Sequence, residues 1–128
     1  MGSATDTISE TVHALNAKGE KVGVIKVYLY RPWSSQAILK VLPKTVKKIA
    51  VLDRTKEPGS LGEPLFLDVA TTLREAGLND IILTGGRYGL GSKDTPPSSV
   101  FAVYKELEKD APTGAWTFWH LAKETARR

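Results

Sequence analysis

Two glycine-rich loops, each placed directly after a short β-like segment, constrain the fold of this chain more than any other feature. The first loop spans residues 52–64 and follows an apolar segment at 48–51, while the second spans 84–94 and follows a segment at 81–83. Open α/β sheets bind their ligands outside the carboxyl ends of the strands. The sequence therefore predicts that both loops lie at one edge of a sheet and that any binding site lies there.

Strand-like and helix-like segments alternate along the chain. Runs rich in β-branched and aromatic residues predict strands at 22–30, 48–52 and 80–84. Apolar residues at helical spacing predict one helix before the first strand and one after each strand. This order predicts an α/β fold, a three-layer α/β/α sandwich built on a mainly parallel sheet.

Several helix ends are marked by particular residues. Thr7 followed by Glu10 fits a capping box and predicts where the first helix starts, and Gly19 predicts where it stops. Ser34 can cap the second helix, and Pro64 suits the first turn of the third. These assignments place both glycine-rich loops between a strand and the helix that follows it.

Composition limits the class of protein. A length of 128 residues with 41% hydrophobic residues fits one globular domain, predicted at 1–112, with a tail at 113–128 that can add a strand around Trp116–Trp119. No apolar run approaches the roughly 20 residues that span a bilayer, and the amino terminus does not read as a secretory signal. The absence of cysteine excludes thiolate ligands and disulfides. These features predict a cytoplasmic protein without a membrane partner.

The second loop comes close to a nucleotide-binding pattern. Residues 86–93 nearly match GxxxxGK[ST], but Ser92 and Lys93 stand in the reverse order. In that motif the lysine reaches the phosphates and the hydroxyl binds magnesium, so the order fixes the geometry. The other interpretation is a structural loop, in which glycines allow positive φ at sharp turns.

Charged residues of both signs occupy the two loops. Converging cations there could hold a carboxylate or a phosphate, whereas the alternative is a set of local salt bridges that hold the loops. The candidate anion-binding or domain-interface residues are Arg54, Lys56, Glu57, Gly59, Gly86, Arg87, Tyr88, Gly91, Ser92 and Lys93. The net charge of +4 is modest, and the sequence has no dense basic stripe of the kind that a nucleic-acid surface usually carries. We predict no catalytic residue and no metal site, because His13 and His120 have no nearby nucleophile or acidic pair.

Three segments resemble one known family. They are 22–32 (VGVIKVYLYRP), 42–64 (LPKTVKKIAVLDRTKEPGSLGEP) and 85–93 (GGRYGLGSK). They resemble the part of pyruvate:ferredoxin (flavodoxin) oxidoreductases that follows the pyrimidine-binding domain. This resemblance covers roughly residues 2–109 and implies a transketolase C-terminal-like fold, that of core domain II.

The resemblance also implies a function for the parent enzyme. That family decarboxylates pyruvate to acetyl-coenzyme A with thiamine diphosphate, magnesium and iron–sulfur clusters. This chain has no cysteine and no Gly-Asp-Gly motif followed by Asn-Asn, so we expect a non-catalytic module that binds no cofactor itself. Its expected partners are other domains of the parent or a second copy. The alternatives are a small module binding an anion or a coenzyme A phosphate, and the related domain of a sulfite reductase or a pyruvate:NADP oxidoreductase.

Two departures from the family pattern affect these expectations. In the family, an apolar strand precedes the segment that matches residues 1–4, so the fold is expected to lack that first strand. Its loss would expose sheet backbone and apolar helix surface. The tail at 116–128 carries aromatic and basic residues where the family continues with a glycine-containing strand and an acidic segment. Family contacts therefore cannot be transferred to the tail.

Overall fold

The structure, a computed structural model, describes residues 2–110 and the backbone of residues 116–117. Its helices are α1 (Ala4–Ala17), α2 (Ser35–Val41), α3 (Pro64–Glu75) and α4 (Pro97–Glu108), with a single 3₁₀ turn at Leu90–Ser92. Its strands are β1 (Lys48–Asp53), β2 (Ile82–Arg87) and β3 (Trp116–Thr117). The α/β class predicted from the sequence is confirmed.

The described strands form one parallel sheet in the order β1-β2-β3. β1 and β2 pair along their whole length, from Lys48 opposite Ile82 to Asp53 opposite Arg87. β3 pairs with the end of β2 and confirms a strand in the tail. The rest of the predicted tail strand, Phe118 and Trp119, lies outside the described residues, as does most of the proposed tail region.

Successive side chains of β1 point to opposite faces of the sheet, so the core has two layers. Ile49 and Val51 pack against the apolar stripe of α3, which consists of Leu65, Val69 and Leu73. The intervening residues point to the opposite face and pack against α1 and α4. Helices therefore cover both faces of the sheet, as expected when successive strand residues point to opposite sides. This confirms the three-layer arrangement.

The first helix begins one turn earlier than the capping box predicted. α1 starts at Ala4, and the Thr5 hydroxyl donates a hydrogen bond of 2.8 Å to the Gly2 carbonyl. Ala4 is buried against Tyr88 and Ala102, so tertiary packing stabilises the additional turn. The Thr7 start was therefore wrong, whereas the stop at Gly19 is confirmed by its φ of +88°.

The strand predicted at residues 22–30 is absent from the structure. Residues 21–30, here called the connector, form neither helix nor strand. Val22 and Val24 pack on the α1–α4 side and Val27 packs on the α3 side, but no described strand pairs with them. The prediction was wrong because β-branched composition describes a fit to a half-buried surface and does not supply a pairing partner.

No helix among the described residues is long and apolar enough to cross a membrane.

Candidate functional site

The two glycine-rich loops leave the sheet side by side. Asp53 ends β1, Arg87 ends β2, and the two residues are opposite each other in the parallel register. Parallel pairing places the carboxyl ends of both strands at one edge, as the sequence predicted. Asp53, Arg54, Glu63, Arg87 and Tyr88 form what we call the carboxyl-end cluster.

Asp53 fastens the end of β1 to the start of α3. Its side chain accepts hydrogen bonds from the backbone N–H groups of Leu65 at 3.0 Å and Phe66 at 3.1 Å. The residue is only 3% exposed. Burial raises the pKa of this carboxyl, the two N–H donors oppose the rise, and the nearby charge of Glu63 adds to it. Asp53 thus satisfies two N–H groups that a helix start otherwise leaves without partners.

Glu63 joins the two loops. Arg87 Nε donates to Glu63 Oε1 at 2.5 Å, and the Glu57 backbone N–H donates to the same oxygen at 3.4 Å. The Glu63 side chain is 7% exposed and that of Arg87 is 26% exposed, so this ion pair is largely shielded from water. Arg87 is therefore engaged by a carboxylate of the chain itself. This pair is a local salt bridge of the kind that the sequence left open as an alternative.

A phenyl ring packs between glycines of both loops. A Cβ built on Gly62 would lie 2.5 Å from Cδ1 of Phe66, and one built on Gly85 would lie 3.0 Å from its Cδ2. Contacts this close leave no room for a side chain at Gly62 and almost none at Gly85. Sequence reasoning missed both positions, because a glycine in a loop indicates a turn as readily as a place where another side chain packs against the backbone.

Tyr88 and Arg54 complete the cluster. Tyr88 is 6% exposed, and its backbone N–H donates to the Asp53 carbonyl at 3.1 Å. Burial raises the pKa of the Tyr88 hydroxyl, the charge of Arg54 opposes the rise, and Asp53 adds to it. The Arg54 side chain lies against Gly89, where a Cβ would come within 2.9 Å of Arg54 Nε. These contacts hold the second loop against the first.

The remaining predicted site residues lie outside this cluster. Gly86 is inside β2, opposite Leu52 on one side and Trp116 on the other. Gly59 and Gly91 have positive φ angles of 78° and 63° and serve as turn positions. The exposed members of the predicted set are Arg54, which belongs to the cluster, and Lys56, Glu57, Gly59, Gly91, Ser92 and Lys93, which do not. In the carboxyl-end cluster Glu63 pairs with Arg87 and Asp53 accepts from two backbone N–H groups, which favours internal fastening over capture of an anion.

Metal-ligating side chains do not converge in the part of the chain that the structure describes. His13 is an exposed residue of α1, and His120 lies outside the described residues.

A second polar cluster, which sequence reasoning missed, fastens the end of the connector to α3. Arg31 Nη1 donates to Asp68 Oδ2 at 2.8 Å, and the Arg31 guanidinium lies 4.0 Å from the centre of the Tyr30 ring. Trp33 Nε1 donates to the Thr72 hydroxyl at 2.9 Å. The sequence around Arg31 gave only a weak indication of this cluster, because the partners of Arg31 and Trp33 lie 37 and 39 positions away along the chain.

A shallow groove adjoins this second cluster. It has a volume of about 440 Å³ and lies between the first loop and the side chains of Arg31 and Asp68. Leu61, in the same loop, is 99% exposed. Leu61 gains no burial free energy in the isolated domain, because its side chain stays in water. The first loop therefore presents an apolar side chain outward, while its buried residues Asp53, Gly62 and Glu63 hold it against the fold.

Comparison with known proteins gives a consistent assignment. A family model described as "Pyruvate:ferredoxin oxidoreductase core domain II" matches residues 1–100. The chain is 60% identical to a pyruvate:ferredoxin oxidoreductase of Moorella thermoacetica, over 91% of this chain and 10% of that protein. It is 54% identical to a pyruvate-flavodoxin oxidoreductase of a Nostoc species, over 91% of this chain and 29% of that protein.

A relative with a different name also matches. The mitochondrial pyruvate dehydrogenase [NADP(+)] of Euglena gracilis is 51% identical over 91% of this chain and 6% of its own length. The chain thus spans between 6% and 29% of the length of these three relatives.

Proposed function

This chain belongs to the pyruvate:ferredoxin oxidoreductase core domain II family, and we propose that it is a non-catalytic domain that packs against other domains of a larger enzyme. One observation carries the proposal. Three charged residues at the carboxyl ends of β1 and β2 fasten the chain's own loops: Asp53 bonds to α3, and Glu63 pairs with Arg87. We infer that this edge, where α/β folds usually place their sites, serves here as a structural support.

Exposed apolar side chains support a packing role. Leu61 is 99% exposed, Tyr28 is 87% exposed and Leu29 is 70% exposed. Exposed apolar surface of this kind marks interaction sites when it is contiguous, whereas isolated residues need no explanation. Tyr28 and Leu29 are adjacent in the connector. We infer that they and Leu61 contact the polypeptide that makes up the rest of the longer relatives, or a second copy of the chain.

The chemistry of the parent would reside on its other domains. We propose that the parent oxidatively decarboxylates pyruvate to acetyl-coenzyme A, with thiamine diphosphate, magnesium and iron–sulfur clusters. The donor set of this chain does not fit a cluster, since its 128 residues include no cysteine. The electron acceptor would be ferredoxin, flavodoxin or NADP⁺, as the names of the relatives suggest. We further propose a cytoplasmic location.

The packing role can be tested in the parent enzyme. Leu61→Asp should lower the yield of assembled parent and its pyruvate-dependent reduction of a viologen dye, because a charge would enter an apolar contact. The same substitution in the 128-residue chain should change its unfolding free energy by no more than about 0.5 kcal/mol, as is usual at exposed sites. Gln36→Asp, an exposed polar position, is the matched control.

Two outcomes would contradict the proposal. One is normal assembly and activity of the Leu61→Asp parent. The other is pyruvate- and coenzyme A-dependent dye reduction by the 128-residue chain alone.

Exposed cations favour a second candidate, a module that binds a phosphate of coenzyme A. Arg54, Lys56 and Lys93 all lie on exposed parts of the two loops. Titration with coenzyme A and with inorganic phosphate, followed by amide NMR shifts at residues 85–93, tests this function. Shifts that saturate in the native chain and disappear in Lys56→Gln/Lys93→Gln would support it, and unchanged shifts would remove it.

A further inference from the structure

One stretch of the chain carries positive charge without any acidic residue. Residues 21–52 contain seven lysine or arginine residues and no aspartate or glutamate. Four of these cations are lysines within residues 40–48. We call residues 40–47 the lysine turn. Surfaces on which one sign of charge is concentrated in this way suit partners that carry the opposite charge.

The lysine turn lies at the amino edge of the sheet, at the opposite end from the carboxyl-end cluster. It runs from the last turn of α2 to the residue before β1, and the Val46 N–H donates to the Pro43 carbonyl at 3.2 Å within it. The Lys47 carbonyl accepts the Ile82 N–H at 2.9 Å, where β1 and β2 begin. The backbone of the turn is therefore held by hydrogen bonds to itself and to the sheet.

The lysines of the turn have no acidic partner among the described residues. Lys48, which follows the turn, is engaged by the fold, since its Nζ donates to the Lys109 carbonyl at 2.7 Å. Lys40, Lys44 and Lys47 are exposed, and none of them makes an ion pair with a described residue. Like charges this close in the chain repel one another, and no ion pair in the described part of the chain offsets their repulsion.

The rest of the amino edge does not compensate the charge of the turn. Glu75 at the end of α3 and Asp80 before β2 are exposed, and neither pairs with a lysine of the turn. Val41, which lies between Lys40 and Lys44 in the chain, is 57% exposed and adds an apolar side chain. Protein interfaces combine apolar contacts with a polar rim, so this composition fits a polypeptide partner.

We propose that the lysine turn docks an acidic surface of the polypeptide that makes up the rest of the longer relatives. Its three exposed lysines pair with carboxylates of that surface, and Val41 packs against an apolar side chain beside them. Charge complementarity selects this occupant. The source rests on the proposed function and on the length of the relatives, since the chain spans 10% of the Moorella thermoacetica protein.

A nucleic acid fits the lysine turn less well than an acidic polypeptide does. Binding of single strands usually adds aromatic rings on which the bases stack. Trp33 is the one aromatic residue within 31–52, and its Nε1 is bonded to the Thr72 hydroxyl at 2.9 Å. The turn therefore offers charge without a stacking platform.

The test is carbodiimide crosslinking of the parent enzyme, read by mass spectrometry. The reagent condenses a lysine amine with a contacting carboxylate to an amide. Crosslinks are expected from Lys40, Lys44 or Lys47 to an aspartate or glutamate outside these 128 residues. Acetylation of the same lysines should also be on the order of tenfold slower in the parent than in the 128-residue chain, because an ammonium bonded to a carboxylate is shielded from the reagent. Lys48, whose amine is already bonded, is the internal control and should change little.

A pair of variants tests the same contact without labelling. Lys44→Glu/Lys47→Glu should lower the yield of assembled parent, because like charges would then face each other. Lys44→Arg/Lys47→Arg keeps the charge, should retain the yield and is the matched control. In the 128-residue chain the glutamate variant should leave the urea midpoint unchanged, since neither lysine has an ion-pair partner to lose.

Three results would overturn the proposal. The first is equal acetylation in the parent and in the chain, in which case titration with phosphatidylglycerol vesicles and with single-stranded DNA would show whether the occupant is not a protein. The second is crosslinks confined to carboxylates of these residues or of a second copy. The third is normal assembly of the Lys44→Glu/Lys47→Glu parent. Impaired assembly of the Leu61→Asp parent alongside that third result would leave the packing role standing, so the two failures are distinguishable.

Discussion

At the scale of single residues, the buried carboxylates at the carboxyl-end cluster explain more of the structure than the glycines do. Asp53 caps a helix that begins 11 residues later along the chain, and Glu63 closes an ion pair across both loops. The sequence shows that both acidic residues lie in the first loop. It does not show which residues they bond to, because only the fold brings residues 53, 63 and 87 together.

Replacing Asp53 with asparagine should lower the unfolding free energy by about 1–3 kcal/mol, because the Asn amide presents donors where a carboxylate oxygen accepted an N–H. Urea unfolding measures this loss. Asp80→Asn, at an exposed loop position, is the control and should shift the free energy by no more than about 0.5 kcal/mol. Equal effects of the two substitutions would show that the Asp53 carboxylate does not fasten α3.

Replacing Gly62 with alanine should destabilise the fold by about 1–3 kcal/mol, since the new Cβ would overlap Phe66. Gly85 lies near the opposite edge of the ring, where a built Cβ would be 3.0 Å from Cδ2, so the ring has little space to move that way. Thermal unfolding followed by circular dichroism measures the effect. Gly23→Ala is the matched control, with no atom within 4 Å of its Cβ, and it should be neutral or slightly stabilising. A neutral Gly62→Ala would contradict the close packing.

At the scale of elements, local signals predict helix ends well where a side chain caps its own helix. The Ser34 hydroxyl accepts a bond of 3.2 Å from the Ala37 N–H, and Pro64 opens α3, both as predicted. The local signal failed at α1, because burial of Ala4 extends the helix beyond the capping box. It failed again at the connector, because strand formation requires a neighbouring strand.

The two serine caps give a prediction at this scale. Ser34→Ala should lower the unfolding free energy by about 0.5–2 kcal/mol, since it removes a capping acceptor from α2. Ser3→Ala is the matched control, because Ser3 occupies the same position before α1 without a side-chain capping bond. Its effect should be markedly smaller in the same urea titration. A loss at Ser3 as large as that at Ser34 would contradict the assigned caps.

At the scale of the whole molecule, a few long-range contacts hold the connector, which has no strand pairing. The Tyr104 hydroxyl of α4 reaches Gly23 at one end, and Arg31 and Trp33 reach α3 at the other. These contacts join residues from 37 to 81 positions apart. Such contacts determine where the connector lies.

Tyr104 gives a pH prediction. Burial raises the pKa of its hydroxyl to about 12, above the value of about 10 in an unfolded chain. Its stabilising contribution is therefore complete below pH 10 and is lost as the pH rises from about 10 to about 12. Tyr104→Phe should unfold more easily than the native chain at pH 8, by about 1 kcal/mol for the lost hydrogen bond. This difference should shrink across that pH interval.

Urea unfolding at several pH values measures the difference between the native and Tyr104→Phe chains. Tyr28→Phe removes a tyrosine that is 87% exposed and is the control. A native-to-variant difference that stays constant up to pH 12 would contradict the burial of the Tyr104 hydroxyl.

The sequence by itself determined the fold class, the parallel pairing of two strands predicted at 48–52 and 80–84, and the edge at which both glycine-rich loops meet. The structure places those strands at 48–53 and 82–87, so the second extends into the predicted loop. Periodicity and turn residues carry that information locally. Only the tertiary structure decided that Arg87 pairs with Glu63, that Phe66 fills the space between two glycines, and that the connector makes no strand pairing with β1. These outcomes depend on distances between residues far apart in the chain, which no local pattern encodes.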